Sequence, residues 1–351
     1  MSTREDSNIR SAVLLPSPAT LRLEYPLPPA VAAGIDGHRR RLQDILTGAD
    51  QRLLVMVGPC SIHEPEAALE YASRLLQLRN RLAGQVEVMM RVYFEKPRTT
   101  VGWKGLIYDP DLNGDYNIVK GIAVARRLML AIAELGLPVA SELLEPVTAP
   151  YLSDLVSWAG IGARTVESPT HRQLASGLPM PVGVKNGTSG DLQVALGAMT
   201  AIRASHSFIG VMLNGHTGVF QTRGNPLCHL VLRGGSAGPN CQAPAVAAAL
   251  ERLAELRLGK RLVIDCSHGN SGKDHRRQPA VFRDVLAQRL AGNAGIAGMM
   301  LESYLQEGRQ ALAVGERPAR DVSVTDGCIG WERTEELLLE AAASGLFPLR
   351  G

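Results

Sequence analysis

The stretch LLVMVGPCSIHEPEAALEYASRLL occupies residues 53–76. Its first five residues are apolar at every position, which suits a strand buried on both faces. Gly58-Pro59 stops that run, and from Pro65 onward apolar residues recur at helical spacing. Strand, short loop and helix make one βα unit. The loop opens with a thiol, Cys60, at a place where a side chain with only a packing job is poorly set.

Working outward, the unit recurs. Apolar runs at 53–58, 86–93, 137–143, 160–166, 180–186, 207–213, 229–235, 261–268 and 296–303 are strand candidates. Helical patterns such as AALEYASRLLQLRNRL, IVKGIAVARRLMLAIAEL and PAVAAALERLAEL separate most of them. Alternating βα units predict a parallel sheet. A closed (β/α)8 barrel needs eight strands, and these candidates number one more. No helical pattern parts 207–213 from 229–235, and NGHTGVFQTRGNP (214–226) reads as a hairpin or long loop inserted into one βα unit. The surplus strand belongs there. The expected fold is therefore a (β/α)8 TIM barrel over 51–351, with an inserted β-hairpin and an N-terminal extension. Residues 1–50, a proline-rich arm and a helix, are assigned to oligomerisation or regulation. An open doubly wound sheet is the alternative, but no GxGxxG follows the first strand.

Bulk properties exclude several function classes. A net charge of +3 is too mild for a nucleic-acid footprint, and 4% aromatic residues leave no stacking platform for bases. There is no long apolar run and no apolar signal core in MSTREDSNIR, so no membrane partner is expected and a cytoplasmic protein is. The five cysteines are odd in number and lack CxxC spacing, which predicts free thiols in a reducing compartment.

Nearly every strand candidate ends in a reactive residue: Cys60, Arg91, Glu142, Arg164, Lys185, Arg233, His268 and Glu302. In a parallel barrel those ends share one face, where βα loops build active sites. Any one of them could be a salt bridge or a loop anchor. Together they are buried charges in need of partners, and a ligand is the partner expected. Arg91, Lys96, Arg98, Arg164, Lys185 and Arg233 are six cations, which implies one or two strongly anionic ligands. The segments EKPRTT (95–100) and KNGT (185–188) add hydroxyl and backbone donors suited to phosphate.

Cys60, His268, Glu302 and Asp326 form a second set, with the donor mixture of a divalent metal site. The competing reading is a core thiol and a hydrogen-bonded loop histidine. Such a site suits Mn, Fe, Co, Zn or Cu, and a bound ion would polarise a carbonyl oxygen. Closure of the barrel would bring Cys328 near Cys60, where oxidation could link the two and expel the metal. Cys228 and Cys241 read as spectators in loops and Cys266 as core; His63 reads as a capping or surface residue and HRRR (38–41) as a solvated helix face.

The strings GPCSIH, MRVYFEKPRTTVGWKGL, GARTVES, PVGVKNGT, LRGG, DCSHGNS and TDGCIGWE resemble those of the microbial type I 3-deoxy-D-arabino-heptulosonate-7-phosphate (DAHP) synthases. The resemblance covers nearly the whole chain. It implies a barrel assembled as homodimers or homotetramers that condenses phosphoenolpyruvate with D-erythrose 4-phosphate, at the head of the shikimate pathway. It implies that Cys60, His268, Glu302 and Asp326 hold one divalent ion (Mn, Fe, Co or Zn). It implies that Arg91, Lys96, Arg164, Lys185 and Arg233 hold phosphoenolpyruvate, and that Lys96, Pro97, Arg98 and Thr99 hold erythrose 4-phosphate.

Glu142 and Lys185, read as adjacent strand ends, are the candidates for handling the attacking water and its protons. A Schiff-base role for Lys185 competes. Leu213 and Leu227 depart from the family pattern, as do Ala149-Pro150, Pro179 and Gly210, where relatives offer an amino-acid effector pocket. Inhibition by phenylalanine, tyrosine or tryptophan stays open at this point, as does an insensitive enzyme serving secondary metabolism. The other readings are condensation with arabinose 5-phosphate and a phosphosugar-binding regulator without catalysis.

Overall fold

A computed structural model describes residues 8–82, 84–98, 102–312 and 317–345. Eight parallel strands close in the order β1-β10-β9-β8-β5-β4-β3-β2. They are β1 (Leu53–Gly58), β2 (Val86–Arg91), β3 (Val139–Glu142), β4 (Trp158–Ile161), β5 (Val182–Lys185), β8 (His229–Leu232), β9 (Leu262–Asp265) and β10 (Ile296–Glu302). The surplus strand pairs outside the barrel, as its sequence context indicated. It is β6 (Ser207–Val211), antiparallel to β7 (Thr217–Gln221), with Phe208 stacked on Phe220.

Several strands are shorter than the apolar runs that announced them, and one is displaced. The run at 160–166 was expected to be strand; β4 instead covers Trp158–Ile161, and Gly162–Glu167 turns away from the sheet. Trp158 explains the shift. Its ring fills the barrel interior and a β-carbon on Gly183 of β5 would fall 2.1 Å from it, so strand and glycine are set by that indole.

The period of two sorts each strand. Leu53, Val55 and Val57 pack outward on helices, among them α3 (Pro65–Leu82), whose buried Ala68, Tyr71, Ala72, Leu75 and Leu78 repeat at helical spacing. Leu54, Met56, Met89, Ala140, Trp158, Val231, Val263 and Met300 face the axis in a separate cluster. Continuing that inward phase reaches Arg91, Glu142, Lys185, Arg233, Asp265 and Glu302 at the C-terminal ends. The alternation that builds the core thus also delivers charges into the barrel's mouth.

The opposite mouth is closed by helix α2 (Pro29–Thr47), whose Leu42 and Ile45 join the axial cluster. Glu87, inward on β2 at that end, is gripped by Arg41, Arg52 and Arg79 at 3.2, 3.1 and 2.9 Å. Of residues 38–41 only Arg40 is exposed, so they do not form the solvated face their composition indicated. Arg39 donates to the carbonyls of Ser153 and Val156, and burial, first, and then Arg79 pull His38 down to about 4. Helix α1 (Pro18–Glu24) lies against the hairpin, with Ala19 N–H donating to Leu213 O at 2.7 Å. No described helix is long and apolar enough to cross a membrane.

Candidate active site

Cys60 follows β1 by two residues, Glu302 ends β10 and His268 follows β9 by three, so neighbouring strands bring them together. The donor atoms of Cys60, Glu302 and Asp326 all lie within 4.8 Å of one another. Cys60 Sγ is 3.6 Å from Asp326 Oδ2, and His268 Nε2 stands 3.8 Å from Glu302 Oε1 at the edge of the group. Burial, then the Glu302 carboxylate, pushes the Cys60 thiol up to about 12. The buried Cys60 and Glu302, crowded against the exposed Asp326 and the half-buried His268, need positive charge to coexist. Lys96 supplies part of it, its ammonium 2.9 Å from Cys60 Sγ. The donor set fits a borderline divalent ion.

The cations converge beside this cluster. A cleft of about 600 Å3 is lined by Lys96, Pro97, Arg98, Glu142, Arg164, Lys185, Arg233, His268 and Asp326. Arg91 lies behind it, fully buried, with Nη2 3.2 Å from Glu302 Oε1 and its guanidinium 4.2 Å over the Tyr93 ring. Burial alone would lower the Arg91 pKa, but the charges around it, Glu302 and Asp265 among them, hold it above the usual value. Burial likewise opposes the Lys96 ammonium, and Cys60, Glu302 and Asp326 outweigh it. Arg233 goes the other way, pulled down by burial. Arg164 reaches across to Pro97 O at 3.3 Å, and the exposed Arg98 is anchored on Trp103 O at 2.9 Å. Thr99 lies outside the described residues.

Glu142 and Lys185 line the same cleft but are not adjacent strand ends: β4 runs between β3 and β5. The interior size of the β4 residues decides what reaches across. Gly162, just past β4, leaves room for the Glu142 carboxylate; a β-carbon there would fall 2.3 Å from Glu142 Oε1. That oxygen is buried and unpartnered among the described residues, as are Arg91 Nε and the Tyr93 hydroxyl. Such orphans mark where ligand or water belongs.

Residues not singled out from sequence complete the site. Asp265 ends β9 fully buried, 3.0 Å from Lys185 Nζ and 2.9 Å from His268 Nδ1. Burial would raise its pKa, yet Lys185 and His268 hold it well below the carboxylate range. Lys273 and Arg277 line the rim of the cleft. Their signal was the charge-dense run DCSHGNSGKDHRR after β9. Asn186 accepts from Arg233 N–H at 2.9 Å and from Asn240 at 3.1 Å, tying neighbouring loops. His63 is neither a surface cap nor among the clustered donors; it is buried on Ala319 O at 3.1 Å. Cys328 is buried beside the Cys60 backbone, as barrel closure requires.

A larger cleft, about 1020 Å3, lies away from this chemistry. Arg22, Ala149, Pro150, Leu174, Pro179, Phe208, Gly210 and Phe220 line it.

A closed parallel barrel with a thiol, an imidazole and carboxylates clustered at its C-terminal mouth, beside a cation-lined cleft, is the architecture of an enzyme suited to anionic substrates. The chain belongs to the DAHP synthetase I family, whose sequence pattern matches residues 30–339. It is similar to the Trp-sensitive phospho-2-dehydro-3-deoxyheptonate aldolase of Escherichia coli (strain K12), at 50% identity over 331 residues and 94% of each chain. The Tyr-sensitive enzyme of the same strain is 48% identical over 337 residues, 95% of this chain and 94% of its own. A solved phospho-2-dehydro-3-deoxyheptonate aldolase from Francisella tularensis SCHU S4 superposes with a TM-score of 0.93 at 42% identity, over 96% of this chain and 98% of its own.

Proposed function

We propose that this cleft condenses phosphoenolpyruvate with D-erythrose 4-phosphate and water, giving DAHP and phosphate at the first step of the shikimate pathway. The observation that carries the reading is the set Lys96, Arg98, Arg164, Lys185 and Arg233 on one cleft, bordered by Cys60, Glu302 and Asp326. Arg91, Lys96, Arg164, Lys185 and Arg233 would hold phosphoenolpyruvate. Lys96, Pro97, Arg98 and Thr99 would hold the aldose phosphate nearer the rim. Two phosphates and a carboxylate repel one another, and these cations cancel that repulsion while fixing the reacting carbons.

A divalent ion held by Cys60, His268, Glu302 and Asp326 (Mn, Fe, Co or Zn) supplies Lewis acidity toward the aldehyde oxygen. The chain's own groups do the rest. The cation ring sets C3 of phosphoenolpyruvate against the aldehyde carbon, so that the C–C bond forms and positive charge develops at C2. Water adds at C2, and Glu142, whose Oε1 has no hydrogen-bond partner among the described residues, would take its proton. The C2–O bond to phosphate then breaks as the C2 hydroxyl gives up its proton, leaving a carbonyl at C2; the phosphate departs, and the former aldehyde oxygen takes up a proton to become a hydroxyl. Lys185 would serve as a substrate cation, its Nζ 3.0 Å from Asp265 Oδ2, and borohydride trapping of an enzyme–substrate adduct would favour the competing Schiff-base role. A phosphate-release assay with erythrose 4-phosphate and with arabinose 5-phosphate, with and without chelator, tests the reading. Chelator-sensitive release with the four-carbon aldose is expected. Release only with the five-carbon sugar, or none with either, overturns it.

The arm and hairpin serve self-association in this reading. Val13, Leu14 and Leu23 of the arm are 78%, 94% and 82% exposed, and Ile209 and Val219 of the hairpin 78% and 72%, an apolar surface suited to a second copy in a dimer or tetramer. The relatives' names carry sensitivity to Trp or Tyr. The larger cleft, with Phe208, Phe220 and Leu174 as walls, is where such an effector would sit, and calorimetry with each aromatic amino acid reads its choice.

A further inference from the structure

Asp265 neither lines the cleft nor belongs to the donor cluster, yet it contacts a residue of each. Its side chain continues the inward phase of Val263 and is completely buried. Oδ1 accepts from Ser267 N–H at 3.0 Å and from the Ser267 hydroxyl. Oδ2 stands between the Lys185 ammonium at 3.0 Å and His268 Nδ1 at 2.9 Å. An ionised carboxylate only accepts hydrogen bonds. The Ser267 hydroxyl spends its hydrogen on Oδ1, so toward His268 Nδ1, 2.8 Å away, it can only accept; Nδ1 carries the hydrogen and the ring's lone pair is left on Nε2. Nε2 is the atom that faces Glu302. The backbone contributes as well. His268 sits at φ 55, a left-handed conformation that a β-carbon resists, and Lys273 N–H bonds its carbonyl at 2.6 Å.

We propose that Asp265 is a positioning residue that serves both halves of the site through one side chain: it fixes the His268 ring with Nε2 toward the ion, and it holds the Lys185 ammonium in the anion cleft. The inference rests on the reading of His268 as a ligand and Lys185 as a substrate cation. A carboxylate behind a ligating histidine sets its tautomer and raises its basicity. Here the same oxygen also anchors a substrate cation, so loss of the carboxylate weakens two bindings that share no ligand atom.

The test uses full-length protein stripped of metal. In Asp265→Asn, Mn2+ affinity measured by chelator competition should fall about 10–100-fold. Phosphoenolpyruvate affinity of the same metal-free variant should fall several-fold, about a factor of five for one weakened charge-assisted contact. His268→Ala and Lys185→Met run beside it. Should His268→Ala bind Mn2+ like the parent, the ligand reading itself fails. Should His268→Ala lose Mn2+ while Asp265→Asn keeps parental affinity, only the role given to Asp265 is overturned. A second measurement needs no variant of Asp265. Nitrogen NMR of the metal-free parent at alkaline pH, assigned with His268→Ala, should show His268 as the Nδ1–H tautomer; a dominant Nε2–H tautomer refutes the proposal.

Discussion

On the ligand assignment proposed above, ion binding at Cys60 displaces a proton, and the surroundings of the thiol set the cost. Burial and the Glu302 carboxylate push it up to about 12, against a weaker downward pull from Lys96. At pH 8 the thiolate therefore lies about 4 units, or about 5 kcal/mol, above the thiol, at about 1.4 kcal/mol per unit. A divalent ion bound through sulfur supplies that energy, so each pH unit gained returns a factor of about ten in affinity. Mn2+ affinity of the metal-free protein, measured by competition with a fluorescent chelator, should rise about tenfold per unit between about pH 7.5 and 9.5, above the imidazole range. Cys60→Asp replaces the thiol with a ligand already ionised across that window and should flatten the slope. An affinity in the parent that ignores pH, or a slope that survives in Cys60→Asp, refutes the reasoning. The sign for stability is opposite. An unfolded thiol ionises near the model-peptide range while the folded one stays protonated, so stability present below about pH 9 is lost as pH rises toward 12 in the metal-free protein.

Burial raises Glu95 to about 8, against the backbone N–H groups of Glu145 and Leu144 and the Thr148 hydroxyl, which donates to Oε2 at 3.2 Å. Its stability contribution is fully present below the unfolded value of 4.5 and fades as pH climbs through about 8. Glu95→Gln should thus gain about 3–4 kcal/mol on the parent between pH 5 and 8 in urea unfolding; a gap independent of pH refutes this. Gly162→Ala would crowd Glu142 Oε1 at 2.3 Å, and kcat should fall about 100-fold with Mn2+ affinity unchanged; an unaltered kcat removes Glu142 from the proton-handling role. Peroxide should couple Cys60 and Cys328 into a disulfide, each thiol losing a proton and the pair two electrons to the peroxide, and release the metal; full metal retention with the bridge formed counts against it.

The barrel was legible because strands buried on both faces are written as unbroken apolar runs, and because the hairpin lacked a helix between its neighbours. Strand ends were less so. The run at 160–166 gave no cue that Trp158 would pull β4 two residues earlier, since an interior indole sets register through a glycine on the next strand rather than through its own neighbours. Cys60, His268 and Glu302 were legible as residue types at strand ends; Asp326 lies beyond the last strand and is brought to them by the loop after β10. Asp265 was not legible, because one carboxylate closing an apolar run looks like any strand terminus until the fold places it between Lys185 and His268. The HRRR run misled for the same reason: the partners of Arg39 and Arg41 are Ser153, Val156 and Glu87, remote in sequence.

Leu42 and Ile45 stopper one end of the tube, so traffic has a single doorway. Arg91, Lys185 and Arg233 sit deep, at 0%, 5% and 7% exposure, whereas Arg98 stands at the threshold. A molecule gripped by the deep trio cannot pass one already resting on Arg98. On the assignment proposed above, the enolpyruvyl substrate enters first and the aldose follows, so steady-state kinetics should show a compulsory sequence rather than a free choice.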